Sequence, residues 1–287
     1  MESSLDERKA QEQLAEASEA LAYVDWIESA PASLKEKARA YTGKLGKSTI
    51  IFTVPEIDWY TPNRLMGFGL SEPAEESMLD EALKIVKERH TSRFFVPLCP
   101  DTEPGNEELR RWLIKRGFYF HNSWVKLSLD TSENHPSPKI KCDFTIQEIS
   151  RDSAQDFAAT LLAGFGYPES FRPWLELLVG KIGWHHYLAF DGAKPVANGA
   201  LFVRNRIGYL CLGSTIPSAR RRGAQEALIE RRIHDAASAG CDVLFTETEA
   251  ETPAKPNPSF HNMLRSGFKL LYSRENYAFD LSKSQTS

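Results

Sequence analysis

Two segments that lie 150 residues apart share one pattern, and this repeat constrains the fold more than any other feature of the sequence. Residues 112–118 and 262–268 each end a short helical pattern with Gly-Phe before an aromatic, strand-like stretch. Glycine after the last helical residue is a common helix terminator. Each segment also follows strand, helix, strand and helix patterns in the same order. We therefore predict a tandem repeat of one α/β domain, with chance as the alternative, since helix–glycine–strand is a common unit.

A polar stretch with two prolines, residues 131–138, separates the two halves of the chain. It has no hydrophobic period, which is typical of a linker or a long loop. The sequence therefore predicts a first domain over residues 1–135 and a second domain over residues 140–287.

Composition favours a soluble α/β protein. Of 287 residues 41% are hydrophobic, and 39 acidic against 35 basic residues give a net charge of −4. So weak an imbalance argues against a globally basic nucleic-acid binder and against a charged disordered chain. There is no apolar run near the ~20 residues that a membrane-spanning helix needs, and the acidic start lacks the apolar region of a secretory signal. The four cysteines form no C-x-x-C pair, so we expect reduced thiols and a cytoplasmic location.

Hydrophobic periodicity predicts the positions of the helices and strands. The first half opens with a helix that carries Leu14, Ala17, Leu21 and Val24 on one face. In the second half, a helix over residues 170–182 carries one apolar stripe, made of Phe171, Trp174, Leu175, Leu178 and Ile182. Further on, the pattern predicts a long helix over residues 218–239 and two strands after Gly267.

The stretch most informative about function is residues 210–225, in which a strand leads through a proline turn to three arginines and a glycine. The first N–H groups of the helix that follows have no intrahelical partner and lie at its positive end. Gly223 leaves room for an anion to approach them, and Arg220, Arg221 and Arg222 add positive charge. This pattern predicts a phosphate or pyrophosphate site, with a solvated basic patch as the alternative.

The spacing of Pro217, Arg220 and Gly223 resembles a motif of the GNAT superfamily of acyl-CoA-dependent N-acyltransferases, Pro-x-x-Arg/Gln-x-x-Gly-x-Gly/Ala. Gln225 departs from its last position. The order of elements from Phe144 onwards is also similar to that family. The resemblance implies an α/β fold, an α+β mixed sheet, in two GNAT-like domains that each have a central, mostly antiparallel, splayed sheet flanked by helices.

The first of these domains is expected to be degenerate. Its equivalent strand-to-helix turn, residues 70–76, carries three carboxylates, and these would repel a pyrophosphate. We therefore expect cofactor binding in the second half alone.

The resemblance implies that acetyl-CoA is the cosubstrate and that its pantetheine arm pairs with the end of a splayed strand. The implied cofactor-binding residues lie on that strand end, the turn, the long helix and the next helix: Leu212, Gly213, Ser214, Thr215, Arg220, Arg221, Arg222, Gly223, Ala224, Gln225, Asn257 and Asn262. The thioester oxygen would accept a hydrogen bond from an N–H near Thr215. Helix capping explains Asn257 equally well.

Acyl transfer to an amine needs a neutral nucleophile, whereas a lysine-like amine is protonated near pH 7, so a general base helps. Glu247 and Glu249 share one face of a strand and are the candidates for base or ammonium anchor, Glu247 ahead; surface acids at a strand end are the alternative. The family often has a general-acid Tyr where this chain has Met263. Tyr209, Tyr272 or Cys211 on nearby strands are candidate substitutes, although core packing also explains the two tyrosines.

Together these features predict an enzyme, an N-acetyltransferase that moves an acetyl group from acetyl-CoA to a primary amine of an unidentified acceptor by direct attack. We expect no metal, no nucleic acid and no membrane as partners. His185 and His186 point to opposite faces of a strand, which favours a structural role over metal binding. The alternatives are a non-catalytic acyl-CoA-binding module and a nucleic-acid binder that uses Arg204, Arg206 and the arginine cluster.

Overall fold

The computed structural model describes residues 2–132 and 141–283, without the side chains of residues 2–6. Of the predicted linker, residues 131–138, the part from residue 133 lies outside the described residues. The helices within the described ranges are α1 (Glu2–Glu28), α2 (Ala32–Lys37), α3 (Glu76–Arg89), α4 (Asn106–Lys115), α5 (Ala154–Phe165), α6 (Arg172–Glu176), α7 (Ala224–Ser238) and α8 (Pro258–Arg265). The strands are β1 (Tyr41–Leu45), β2 (Thr49–Thr53), β3 (Arg64–Met66), β4 (Arg93–Leu98), β5 (Tyr119–Asp130), β6 (Thr145–Ile149), β7 (Trp184–Asp191), β8 (Lys194–Arg204), β9 (Ile207–Thr215), β10 (Val243–Glu249) and β11 (Lys269–Asp280).

The chain divides into two compact units. The first contains Met1–Val125 and Tyr272–Ser287, and the second contains Lys126–Leu271. The divisions fall within β5 and β11, so the last strand belongs mainly to the first unit. These units have different boundaries from the predicted domains, residues 1–135 and 140–287. The predicted domains describe the repeat in the sequence, and they stay a prediction.

In the first unit the strand order is β1-β2-β3-β4-β11-β5. The parallel pair is β3 with β4, whereas β11 runs antiparallel to β4 from Glu275 opposite Leu98 to Asp280 opposite Arg93. Leu79, Ala82 and Val86 of α3 are buried in the core of this unit. These residues follow the helical period at i, i+3 and i+7, so α3 packs as its sequence pattern predicts.

The buried face of α1 is not the predicted one. Leu14, on the predicted face, is 39% exposed, whereas Glu16 and Glu19 are buried. Arg274 of β11 contacts both glutamates, and Arg64 of β3 contacts Glu19, with 2.5 Å between Nη1 and Oε1. Buried charges are tolerated when they are paired and hydrogen-bonded, so α1 buries its acidic side against two arginines.

In the second unit the strand order is β5-β10-β9-β8-β7-β6. Strands β6 to β9 form an antiparallel series, and β9 and β10 are parallel. Helices α5 and α7 both pack against β8 and β9. The long helix of this half, α7, follows the turn at the end of β9.

Two predicted elements of the second half differ in the structure. The helix expected over residues 170–182 is regular only in α6, and Ile182 of its predicted stripe is 99% exposed. Gly180 and Gly183 adopt φ values of +80° and +81°, a backbone conformation that ends the helical path. The two strands expected after Gly267 are one continuous strand, β11.

His186 makes the stability of the chain depend on pH. Burial lowers its pKa from 6.5 to about 3, and neither ring nitrogen has a hydrogen-bond partner among the described residues. Below pH 6.5 the unfolded chain therefore takes up a proton that the native state cannot bind, so stability falls as pH falls towards 3. We expect a loss of about 2 kcal/mol between pH 6.5 and pH 5 from this residue, at 1.36 kcal/mol per pH unit.

Urea unfolding of His186→Leu across this pH range measures the effect. The variant should lose the acid-side slope that the parent has, and His185→Gln, at the exposed neighbour that contacts Glu148, is the matched control. Equal slopes in the parent and in His186→Leu would contradict the prediction.

Candidate functional site

Strands β9 and β10 separate part-way along their length. They pair in parallel from Ile207 opposite Val243 to Leu210 opposite Thr246, where the Thr246 hydroxyl donates to the Leu210 carbonyl at 3.0 Å. Both strands continue beyond this point, to Thr215 and to the end of β10, but no further pair joins them. Among the described residues, the paired positions of β9 and β10 thus end at Leu210 and Thr246.

A β-bulge lies in β9 at the point of separation. The register between β8 and β9 shifts between Asn198 and Ala200, and Leu212 has a φ of +49°, in the left-handed region. The Asn198 side chain holds the bulge, because its Nδ2 donates to the Leu212 carbonyl and its Oδ1 accepts from the Ser214 hydroxyl, both at 2.6 Å. Bulges commonly redirect backbone groups next to active sites.

Arg232 of α7 contacts the same bulge. Its Nη1 donates to the carbonyls of Ala200 (3.1 Å) and Cys211 (3.3 Å), and its Nε donates to Leu228 of its own helix (2.9 Å). A Cβ on Gly199 would lie 2.9 Å from the guanidinium carbon, so a side chain there would collide with Arg232. Burial lowers the pKa of Arg232 to about 10, which still leaves it charged at neutral pH.

The two held carbonyls set the direction of two N–H groups. In a planar trans peptide the N–H points opposite to the C=O. Since Arg232 binds the Cys211 carbonyl and Asn198 binds the Leu212 carbonyl, the N–H groups of Leu212 and Gly213 point away from these side chains. Successive N–H groups held in this way form a concavity that suits a negatively charged oxygen.

Gly223 is required by a close backbone approach. It has a φ of +83°, and a Cβ there would lie 2.2 Å from the Lys141 carbonyl oxygen. From the sequence, we expect this glycine to leave room for an anion. The structure gives a different reason, since the main chain at Lys141 and Cys142 fills that direction.

The first turn of α7 nevertheless offers backbone donors. The N–H groups of Gly223, Ala224, Gln225 and Glu226 donate to no carbonyl or side chain in the part of the chain that the structure describes. This is the normal state of a helix N-terminus, which carries a partial positive charge.

Arg222 forms ion pairs with two carboxylates. Its guanidinium donates to Asp143 at 3.2 Å and to Asp191 at 2.8 Å, and these bonds raise its pKa above the usual value. It also lies over the Phe144 ring, 4.3 Å from the centroid. Arg222 thus already has two carboxylate partners, and its predicted contact with a diphosphate stays a prediction.

Arg220 and Arg221 have different surroundings. Arg220 donates to the Thr215 carbonyl at 3.3 Å and to the Gly164 carbonyl at 3.2 Å, and so ties the end of β9 to the end of α5. Arg221 is exposed, has a φ of +63° and makes no ion pair or side-chain hydrogen bond with the described residues. Of the three arginines, Arg221 has the charge that is most available to a ligand.

Gln225, Asn257 and Asn262 connect or cap helices. Gln225 donates to the Ser259 hydroxyl and accepts from the Asn262 amide, both at 2.6 Å, which joins α7 to α8. The Asn257 side chain accepts from the N–H groups of Ser259 and Phe260 and caps α8. The capping explanation of Asn257 is therefore confirmed, and the side chain that departs from the family pattern, Gln225, packs between helices.

Glu247 lies on β10 just after the strands separate and forms a buried ion pair. Its Oε2 is 3.1 Å from Nζ of Lys126, and the two side chains are 7% and 0% exposed. The Lys126 ammonium also lies 5.6 Å from the ring centroid of Tyr209. Glu249 contacts Lys255 and is more exposed. Both candidate carboxylates thus face a lysine, which the sequence pattern did not indicate.

Comparison with known proteins relates this geometry to one fold. No family model and no curated protein sequence matches the chain. It is similar to GCN5-related N-acetyltransferases from Kribbella flavida (14% identity, 87% of this chain and 94% of that one, TM-score 0.58) and from Sphaerobacter thermophilus (12% identity, 83% and 82%, TM-score 0.59). A tandem GNAT protein from the clavulanic acid biosynthesis pathway matches 96% of this chain over 95% of its own length, at 12% identity and a TM-score of 0.54.

The chain has the GNAT fold. The similarity to a tandem GNAT protein over almost the whole chain agrees with the predicted tandem resemblance and confirms the predicted fold class, a mixed α/β architecture.

The residues predicted around the general-acid position have different surroundings. Met263, at the usual Tyr position, is buried in the second unit. Tyr272 belongs to the first unit, where its hydroxyl donates to Glu16 at 2.6 Å and burial raises its pKa well above 10. Tyr209 is buried beside Lys126. Tyr272 is thus committed to another contact, and the acid role of Tyr209 stays a prediction.

The described residues contain neither a metal-binding cluster nor a membrane-spanning helix. No group of three or more His, Cys, Asp or Glu side chains there is placed to hold a metal ion. No helix among these residues combines the length and apolarity that crossing a bilayer requires.

Three residues that contact this site, Lys126, Asn198 and Arg232, are not among those predicted from the sequence. Each interrupts an otherwise apolar pattern with a polar side chain. Arg232 lies three residues after Ile229 and four before Ala236, on the buried face of α7. A charged residue on an inward-facing stripe is the signal that would have identified it.

Proposed function

We propose that this chain is an N-acetyltransferase that transfers the acetyl group of acetyl-CoA to a primary amine. The observation that carries the proposal is the separation of β9 and β10, whose pairing in the described part of the chain ends at Leu210 and Thr246. An extended ligand with amide groups can add to a strand edge through main-chain hydrogen bonds. The pantetheine arm of acetyl-CoA has that chemistry, and acetyl-CoA supplies an activated thioester.

The start of α7 suits the diphosphate of the coenzyme. The donors are the four first-turn N–H groups, and the nearby Arg221 adds an exposed positive charge. Arg222 is left out of the proposed set, because Asp143 and Asp191 already neutralise it. Anion binding at a helix N-terminus needs no further cation, although one strengthens it.

The bulge in β9 suits the reacting carbonyl. We assign the N–H groups of Leu212 and Gly213 as donors to the thioester oxygen, in place of the N–H near Thr215 that the sequence suggested. Negative charge develops on this oxygen when the amine attacks, and fixed donors stabilise that charge.

In the proposed reaction a C–N bond forms between the amine and the acyl carbon, and the C–S bond breaks. The amine loses a proton, and the thiolate of coenzyme A takes one up. Glu247 is the proposed proton acceptor, held in place by Lys126.

One coenzyme per chain is expected, because the equivalent turn of the first unit differs. Glu75 precedes α3 with a φ of −110°, where the second unit has Gly223 at +83°. The N–H of Ala74 is already bonded to the Glu103 carbonyl at 2.8 Å. These contacts support an N-terminal half without a cofactor site.

The test is thermal unfolding and titration calorimetry with acetyl-CoA. At about 100-fold its dissociation constant the ligand should stabilise the chain by about 2.7 kcal/mol, with one molecule bound per chain. S-acetylpantetheine, which lacks the diphosphate, should bind more weakly. Absence of stabilisation by acetyl-CoA would contradict the proposal.

Arg221→Glu tests the diphosphate site without the collision expected at Gly223. Reversing an exposed charge near a bound diphosphate should weaken acetyl-CoA binding roughly tenfold, because a screened contact of this kind contributes on the order of 1 kcal/mol or more. Arg204→Glu, another exposed arginine of the second unit, is the control and should bind as the parent does. Equal affinities for the two variants would remove the site assignment.

A second candidate function is a non-catalytic acyl-CoA-binding module. The observation that favours it is that Glu247 and Gln225 are both engaged within the protein and that position 263 is Met. Thiol release from acetyl-CoA with a panel of primary amines separates the two. Binding without amine-dependent release would favour the module.

A further inference from the structure

We propose that Arg232 is a positioning residue of the acyl site, whose guanidinium fixes the bulge in β9 so that the Leu212 and Gly213 N–H groups face the thioester oxygen. This inference rests on the proposed function. It concerns a side chain that reaches the strands from the third turn of α7 and would not itself contact the ligand.

The contacts of Arg232 connect three elements at one point. One nitrogen, Nη1, binds a carbonyl of β8 (Ala200) and a carbonyl of β9 (Cys211), and these two residues are paired across the strands. The register shift begins at the next residues along both strands. The guanidinium thus bridges the two carbonyls at the position where the regular ladder ends.

Gly199 leaves the space for this side chain. A Cβ there would lie 2.9 Å from the guanidinium carbon, which is closer than real Cβ contacts come. This position carries hydrogen instead, so the planar guanidinium can lie directly against β8 at the bulge. A Cβ on Gly213 would lie 3.6 Å from Nη2, an ordinary contact distance, so the fit depends on Gly199.

Packing alone does not explain an arginine here. Arg232 is 4% exposed, and no carboxylate in the described part of the chain lies within salt-bridge distance of it. Burying a charge without a counter-ion is costly, and an apolar side chain would continue the stripe of Ile229 and Ala236. An apolar residue at this position could not donate the hydrogen bonds to the Ala200 and Cys211 carbonyls, and these bonds explain the arginine.

The role of Asn198 is complementary. It holds the next carbonyl of β9, that of Leu212, while its Oδ1 accepts from Ser214. With both carbonyls held, neither peptide group can rotate to turn its N–H away. Removing Arg232 frees the first of these peptide groups, so the Leu212 N–H should lose its fixed direction.

The experiment uses infrared difference spectroscopy of acetyl-CoA labelled with carbon-13 at the acetyl carbonyl. Hydrogen bonds to the thioester oxygen lower the frequency of its carbonyl stretch, so the band reports the donors directly. We compare the full-length parent chain with Arg232→Met and with Arg232→Lys, and measure acetyl-CoA affinity and circular dichroism in parallel. Arg231→Met is the matched control, because Arg231 is the neighbouring arginine of α7 and pairs with Asp235.

The parent and Arg231→Met should lower the carbonyl frequency equally on binding. Arg232→Met should bind acetyl-CoA within about threefold of the parent but lose most of the frequency shift, and Arg232→Lys, which keeps the charge but not the planar fork, should keep part of it. Once an acceptor amine is known, turnover in Arg232→Met should fall by about 10²-fold, with little change in KM for acetyl-CoA.

The outcomes separate this inference from the proposed function. If the parent does not bind acetyl-CoA, the proposed function fails and the inference with it. If the parent binds and Arg232→Met shows the parent's carbonyl band, the inference alone is overturned. If Arg232→Met does not fold, the carbonyl band of Arg232→Lys is the test. A partly reduced frequency shift in that variant supports the positioning role, and a shift equal to that of the parent overturns it.

Discussion

Glu19→Ala is expected to lower the free energy of unfolding by about 3–5 kcal/mol, the usual cost of removing one partner from a buried ion pair. Glu19 of α1 lies 2.5 Å from Arg64 and 2.9 Å from Arg274, and all three side chains are buried. Its removal leaves two guanidinium groups without this carboxylate in a site that water does not reach. Chemical denaturation followed by circular dichroism measures the loss.

A double-mutant cycle with Glu19→Leu and Arg64→Met, alone and together, distinguishes the contribution of the ion pair from that of packing. The double variant removes both charges and replaces them with apolar side chains. We expect it to be less destabilised than Glu19→Ala, which leaves the Arg64 charge buried. Glu7→Ala, at an exposed glutamate of the same helix, should change stability by less than about 0.5 kcal/mol. If Glu19→Ala were as stable as Glu7→Ala, the buried network would not contribute as we describe.

Glu247→Gln is expected to lower the rate of acetyl transfer by about 10²–10⁴ at neutral pH, provided that the proposed function holds and that this carboxylate accepts the amine proton. Glutamine keeps the shape of the side chain and can still accept a hydrogen bond from Lys126, but it cannot take up a proton. Steady-state kinetics with acetyl-CoA and an active amine measure the effect.

The pH profile gives the more specific readout. Without a base, only the neutral amine reacts, so the rate of Glu247→Gln should rise about tenfold per pH unit up to the pKa of the amine. Glu249→Gln is the control, because Glu249 lies two residues further on the same strand and contacts Lys255. A parent-like rate and profile for Glu247→Gln would exclude the base role.

Local patterns predicted the elements that depend on local geometry. The glycines of the repeat, Gly117 and Gly267, end α4 and α8 at φ values of +85° and +93°, as a glycine after a helix should. The strand–turn–helix of residues 207–238 is also present, with the glycine in front of α7. Hydrophobic period and backbone freedom act over a few residues, so the sequence carries them directly.

Patterns that depend on distant partners were misread. The apolar side of α1 looked like its buried face, because glutamates are normally exposed, yet Glu16 and Glu19 are buried against arginines about 45 to 258 residues away along the chain. The bulge at Leu212 was equally invisible. It depends on the pairing of β9 with β8 and on Arg232, and no single strand contains that information.

Neighbouring residues predicted most of the helices and strands, the Gly-Phe repeat and a candidate anion site at the start of α7, because propensity, period and glycine placement are local properties. The folded chain shows which charged groups are already paired: Arg222 with Asp143 and Asp191, and Glu247 with Lys126. It also shows that Asn198 and Arg232 direct the N–H groups of the bulge. Ion pairing and peptide orientation depend on distances between segments that are far apart in the chain, so no local pattern contains them.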